Sequence, residues 1–225
     1  MYKIKDLYDL EKTIAAPLFD GKDYPWEVLD GIKEYILELG PTLPTDEFDN
    51  PAEGVWVAKD ATVFDSAYLG SPCIIDHGAE IRQCAFIRGS AIVGKGTVVG
   101  NSTELKNVIL FDSVQVPHYN YVGDSVLGYK SHMGAGSITS NVKSDKTLVV
   151  VKNGSEQVET GRKKVGAMLG DFVEVGCNSV LNPGTVIGRN SNVYPLSSVR
   201  GVVPANSIYK NKEEIVIKQL ESKHV

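Results

Sequence analysis

The chain has 225 residues, 42% of them hydrophobic, and a formal charge of −5. That is enough to bury one sizeable core, and with no basic stripe interleaved with aromatics it excludes a nucleic-acid binder. No apolar run approaches the ~18 residues of a membrane span and no signal pattern opens the chain, while Cys73, Cys84 and Cys177 have neither metal-type nor C-x-x-C spacing; these features imply a soluble, cytoplasmic protein with free thiols.

Residues 1–53 hold thirteen Asp or Glu against five Lys. Apolar residues at Trp26, Leu29, Ile32, Ile36 and Leu37 recur at helical spacing, with Pro25 suited to a helix start and Gly40-Pro41 to its end. This segment is expected to be a helical cap.

From residue 54 to 208 a period of six takes over. Large aliphatics fall at Val57, Val63, Leu69, Ile75, Ile81, Ile87, Val93, Val99 and Leu105, and small residues (Ala61, Ala67, Cys73, Ala79, Ala85, Ala91, Thr97, Thr103) sit two positions before most of them. The series resumes through Leu110, Val116, Val122, Leu127 and Met133, with five-residue steps at Leu105–Leu110 and Val122–Leu127, and again from Leu169 to Val199. Neither a helical period nor plain alternation gives this pattern. A short strand and corner repeated every six residues does, with three strands to a coil and coils stacked into a parallel β-helix. Glycine often follows the aliphatic, which suggests a corner that needs permissive backbone angles. Ile215, Val216 and Leu220 mark 209–225 as a C-terminal helix.

Chemistry is expected where the pattern breaks. The position usually given to Gly is Arg88 and Lys106, eighteen residues apart, so both stack on one outer face; they are either solvated or grip one phosphate. The five-residue steps bracket a segment carrying His118, Tyr119 and Tyr121. Residues 140–164 cannot be placed in the repeat and form an extruded loop with six basic residues against three acidic ones.

The segment GNSTELKNVILFDSVQVPHYNYVGDSVLGYKSHMGAGSITSN (100–141) closely resembles the acetyltransferase domain of bifunctional glucosamine-1-phosphate acetyltransferase/N-acetylglucosamine-1-phosphate uridylyltransferase. It also resembles the C-terminal domain of archaeal sugar-1-phosphate nucleotidylyltransferases, which extends the match through GRKKVGAMLGD and NPGTVIG to about residues 54–205. The N-x-x-E-x-K segment, the His twelve residues past that Lys and the G-A-G…N segment carry the specificity.

The resemblance implies a left-handed β-helix, an exception to the usual handedness, a homotrimer with sites between subunits, and acetyl-CoA as co-substrate. It implies transfer of an acetyl group to an amino-sugar 1-phosphate in nucleotide-sugar (UDP-N-acetylglucosamine) biosynthesis. His118 is then the general base, Arg88, Lys106, Tyr121, His132 and Lys164 hold the sugar phosphate, and Ala135, Asn141, Cys177 and Pro195 line the acetyl-CoA path. Imidazole suits the removal of a proton from an attacking ammonium. Glu104 is the candidate to orient His118, and a backbone N–H near Gly134-Ala135 the candidate oxyanion donor. Some positions depart from the family: His132 stands in place of a sugar-binding Asn, Val142 of a Tyr, Cys177 of a Ser, and Pro195 of an Ala. The Arg that binds the CoA 3′-phosphate has no clear counterpart, with Lys210 or Lys212 as substitutes. Nothing in 1–53 resembles a nucleotidyltransferase domain. Two other readings compete: a β-helix scaffold in a nucleotidyltransferase system, and a γ-type carbonic anhydrase with His77, His118 and His132 on zinc.

Overall fold

The computed structural model describes residues 1–211 and 214–218. The strands Val55–Ala58, Thr62–Val63 and Tyr68–Leu69 turn through three faces, and the chain returns at Cys73–Ile75 to lie parallel beside Val55–Ala58. Val55 pairs with Cys73 and Cys73 with Ala91, which sets a coil of eighteen residues. The same advance links Thr62 to Glu80 on the second face and Tyr68 to Phe86 on the third. The fold is a left-handed parallel β-helix. Ile75, Ile81, Ile87, Val93, Val99 and Leu105 are fully buried in its interior. Val57, Val63 and Leu69 of the first coil are half-buried, because no coil lies beneath them. Burial in this core pushes the Cys73 thiol up to about 12.

The glycines after the aliphatics do a different job from the one expected. They do not adopt the left-handed conformation, which falls to residues such as Cys84, Ser102, Ser113 and Tyr119. They are small because the next coil comes too close. A Cβ on Gly134 would lie 2.8 Å from the Cys177 nitrogen, and one on Gly100 would overlap the Pro117 carbonyl.

The five-residue steps shorten a corner, which Asn107 and Asp124 turn in the left-handed conformation. At the edge between the third and first faces the strands run through unbroken as Glu104–Leu110 and Tyr121–Leu127, paired from Glu104↔Tyr121 to Leu110↔Leu127, and the coil shortens to seventeen.

Each face also has an outward column. On the first face it is Trp56, Ile74, Ile92, Ile109, Val126, Met168, Val186 and Val202, apolar throughout. The six central members are fully buried. At about 1.5–3 kcal/mol each, covering them is worth on the order of 10 kcal/mol, comparable to the stability of a whole domain. The N-terminal segment supplies much of that cover. It therefore lies lengthwise on this face, where an end cap was expected. The Ala205 N–H donates to the Tyr2 hydroxyl (2.7 Å) at the last coils. Midway, the Asp9 N–H donates to Asp171 Oδ2 (2.8 Å) and Tyr8 packs against Phe19 and Phe111. Nearer the start, helix α2 (Ile32–Leu39) packs on Ala91–Val93 and Glu104–Leu110, and Gly40 presses on the Trp56 ring. Helix α1 is a single turn, Ile4–Leu7.

The two ends are closed by strands. Phe48–Ala52 pairs antiparallel with Val55–Ala58. At the other end the expected C-terminal helix is overturned over its described part: Glu214–Ile217 is a strand antiparallel to Ser207–Asn211. An exposed coil edge offers unpaired backbone groups, and the β-branched Ile215, Val216 and Ile217 suit a strand that satisfies them. Residues 212–213 and 219–225, with Lys212 and the rest of that expected helix, lie outside the described residues.

The insertion is visible as a jump of forty-two residues between Ile138 and its partner Val180. Its strands Val150–Asn153 and Glu156–Glu159 form a hairpin. The hairpin folds back instead of projecting, with Val149 and Val151 fully buried and Val149 against Gly184. Among the described residues no helix is long and apolar enough to cross a membrane.

Candidate functional site

The third face carries the candidate site, bounded by two edges of the β-helix. At the edge toward the first face, Arg88 and Lys106 stack on adjacent coils: the Arg88 N–H donates to the Leu105 carbonyl (2.9 Å), and Lys106 lies opposite Gly123. Each has its own carboxylate. Arg88 Nη1 donates to Glu104 Oε1 at 2.7 Å, and Glu104 holds the guanidinium above its ordinary range. Lys106 Nζ lies 3.4 Å from Asp124 Oδ2. Asp124 also accepts from Asn107 Nδ2 (3.0 Å) and Asn141 Nδ2 (2.5 Å), and Asn141 donates to the Tyr121 hydroxyl (3.2 Å). Burial, and then the Asp124 charge, push the Tyr121 phenol up. Lys164 reaches this neighbourhood from the base of the insertion, where it bridges Val142 and lines a 470 Å³ cavity with Asp124 and Asn107.

The other edge, toward the second face, is built by backbone stacking. His118 closes the strand Gln115–His118 opposite Asn101. Its carbonyl accepts from Gly136 (3.0 Å), Ala135 accepts from Asn178 (2.8 Å), and Cys177 accepts from Leu196 (3.0 Å). His118, Ala135, Cys177 and Pro195 thus form one column on successive coils. The His118 ring is exposed and has no hydrogen-bond partner among the described residues, where the Ala135 N–H has no acceptor either.

Of the residues selected from sequence, Arg88, Glu104, Lys106, Tyr121 and Asn141 come together in one neighbourhood. Asn141 sits with the cations and not with the Ala135 column. Glu104 departs from its expected role, because Arg88 takes its carboxylate and no hydrogen bond joins it to His118. His132 points from the second face to Glu174 (2.8 Å), away from both edges. His77 is at yet another corner, on Asp60 and Glu47, so the three histidines occupy separate places in the chain.

Three residues were missed. Asp124, nearly fully buried, takes the left-handed conformation (φ 47°) at the shortened corner; an Asp following Gly123 in a five-residue step was the available signal. Asn120 stands two residues before Val122, where the small inward series calls for Ala or Thr. Its Oδ1 accepts from the His118 N–H (3.1 Å) and its Nδ2 donates to the Gly134 carbonyl (2.8 Å), bracing the His118 edge. Arg200 lines a 500 Å³ cavity with Pro195, Tyr209 and Lys210. Lys210 is engaged there by Glu214 at 2.5 Å, whereas Arg200 has no partner among the described residues.

A family profile described as the GMPPB C-terminal domain matches residues 69–187, just over half of the chain. The chain belongs to the GMPPB C-terminal domain family. The matched region of that family domain contains both edges of the site, apart from Pro195. Among curated relatives, the "Bifunctional protein GlmU" of Methanococcus maripaludis is 29% identical over 220 residues, 95% of this chain and 53% of the relative. The "Bifunctional sugar-1-phosphate nucleotidylyltransferase/acetyltransferase" of Sulfurisphaera tokodaii is 29% identical over 190 residues, 83% of this chain and 47% of the relative. The chain thus spans about half the length of these relatives. Among solved structures, the polySia-specific acetyltransferase NeuO is 13% identical, with a TM-score of 0.44 over 73% of this chain and 86% of that one.

Proposed function

We propose that the protein is an acetyl-CoA-dependent N-acetyltransferase acting on an amino-sugar 1-phosphate in the cytoplasm. The observation that carries this reading is the third face itself, with an exposed imidazole at one edge and two stacked cations at the other. Arg88, Lys106, Tyr121 and Lys164 bind the sugar phosphate. His118 takes a proton from the acceptor ammonium, and the freed amine attacks the thioester carbonyl. The Ala135 N–H, which has no acceptor among the described residues, stabilises the tetrahedral oxyanion. The carbon–sulfur bond then breaks and the CoA thiolate leaves, taking the proton held on His118, while the nitrogen gives up its second proton to solvent as the amide forms. Acetyl-CoA lies along the Ala135–Cys177–Pro195 column, and Arg200 replaces Lys210 as the candidate for its 3′-phosphate. No covalent enzyme intermediate is needed, so Cys177 is not a nucleophile.

A homotrimer is part of the proposal. Tyr68 and Phe86, 5.5 Å apart and both exposed on the third face beside the site, support an interface between subunits there. A second reading, a non-catalytic β-helix scaffold, is favoured by the Arg88–Glu104 pair, which leaves His118 without an orienting carboxylate. The test is to incubate the protein with acetyl-CoA and a panel of amino-sugar 1-phosphates and follow free thiol. Acceptor-dependent release that His118→Ala abolishes supports the enzyme. If no acceptor in the panel elicits thiol release, the scaffold is ahead.

A further inference from the structure

Between α2 and the cationic edge lies a 340 Å³ groove, within the size range of small-ligand sites. It is lined by Lys33, Arg88 and Lys106 with Ser71, Ser90 and Asn107, and none of its lining residues is acidic. Three cations therefore face one groove in a chain whose overall charge is −5. Their situations differ. Arg88 and Lys106 are each paired with a carboxylate outside the groove, Glu104 and Asp124. Lys33 is exposed and has no hydrogen-bond or ion-pair partner among the described residues.

The position of Lys33 is fixed by packing. Its neighbour Ile32 and, one turn on, Ile36 are fully buried, which seats α2 on the strand Glu104–Leu110 that itself carries Lys106. The Lys33 ammonium, with no ion-pair partner among the described residues, is available to an anion that enters the groove, and hydroxyl and amide donors are at hand to complete a shell of hydrogen bonds.

We infer that this groove is a phosphoryl-anion subsite in which Lys33, carried by the N-terminal segment, is the third cation. It takes the phosphate of a sugar phosphate, or free phosphate of the same chemistry. The inference rests on the proposed reading in assigning the acceptor's phosphate to this edge. It adds that the N-terminal segment, which does not belong to the repeat, contributes to substrate binding.

The experiment is calorimetric titration of the full chain with two probes, glucosamine 1-phosphate and inorganic phosphate, for the wild type, Lys33→Gln and Lys33→Arg. Lys33 is exposed, so both variants should melt like the wild type. Lys33→Gln is expected to weaken both probes by about 3- to 10-fold, the scale of one charge-assisted contact at a partly solvated site. Lys33→Arg should restore binding, and the difference should shrink as salt is raised. If only glucosamine 1-phosphate shows the Lys33 dependence, the sugar phosphate is the occupant; if both probes do, the groove reads phosphate alone. An unchanged Kd for both probes in Lys33→Gln overturns the subsite, as does a wild type that binds neither. A wild type that binds phosphate through Lys33 yet releases no thiol keeps the subsite and sinks the acetyltransferase reading instead.

Discussion

The two edges of the third face differ in how they are built. At the cationic edge the side chains hold one another: Lys106, Asn107 and Asn141 converge on Asp124, and Tyr121 joins through Asn141. At the histidine edge the backbone is braced by Asn120 while the His118 ring is exposed and has no hydrogen-bond partner among the described residues. A network of this kind fixes geometry before a ligand arrives and so serves binding. A free imidazole serves proton transfer once a partner is present. The difference therefore predicts a division of labour between the two edges that can be measured.

The largest expected effect is at the histidine edge. His118→Ala should cut turnover by about 10²–10⁴-fold, the usual range for a general base, with the Michaelis constant nearly fixed. A variant that instead melts lower but keeps its activity per folded molecule would make His118 structural. Lys106→Ala comes next and acts on the other quantity. On the proposed reading it removes a contact made in ground and transition states alike, so the Michaelis constant for the acceptor should rise by roughly 10- to 100-fold with turnover little changed. Equal losses of turnover in the two variants would dissolve the comparison.

Asp124→Ala sharpens it through stability. The substitution removes the acceptor of Lys106, Asn107 and Asn141 together, at a cost of about 1.5–3 kcal/mol, read as a lower midpoint in urea. Asn141→Ala should cost less, because Asp124 keeps its other two donors. Tyr121→Phe should have the smallest effect, about 1 kcal/mol or less. Its pH dependence has a definite sign. The folded phenol is raised above 10.0, first by burial and then by Asp124, so the neutral form is the one the fold favours. Its contribution is present below the unfolded value and lost as pH climbs through the folded one. The wild type should thus lose more stability above pH 10 than Tyr121→Phe does, the shared remainder coming from Tyr8, Tyr35 and Tyr209, whose phenols burial also raises.

Much of this molecule is legible in its sequence because a solenoid repeats its local rules. The period from Ile75 to Leu105 marks the interior, and the eighteen-residue separation of Arg88 and Lys106 places them on neighbouring coils. What the sequence hides depends on packing between elements that no period connects. Trp56, Ile74, Ile92, Ile109 and Val126 recur at coil spacing as an apolar outward column, but only the fold shows that the N-terminal segment lies along it. The C-terminal residues Ile215 and Val216 fit a helix or a strand equally well, and the open edge of Ser207–Asn211 decides between them. Glu104 and Asp124 had no signal naming their partners, since which carboxylate meets which cation is set by side-chain reach across a coil.

The most direct test of the division of labour is equilibrium binding of glucosamine 1-phosphate to His118→Ala and Lys106→Ala, measured side by side without turnover. His118→Ala should bind with the wild-type Kd and Lys106→Ala roughly 10- to 100-fold more weakly. Equal weakening in both variants, or none in either, would contradict that division.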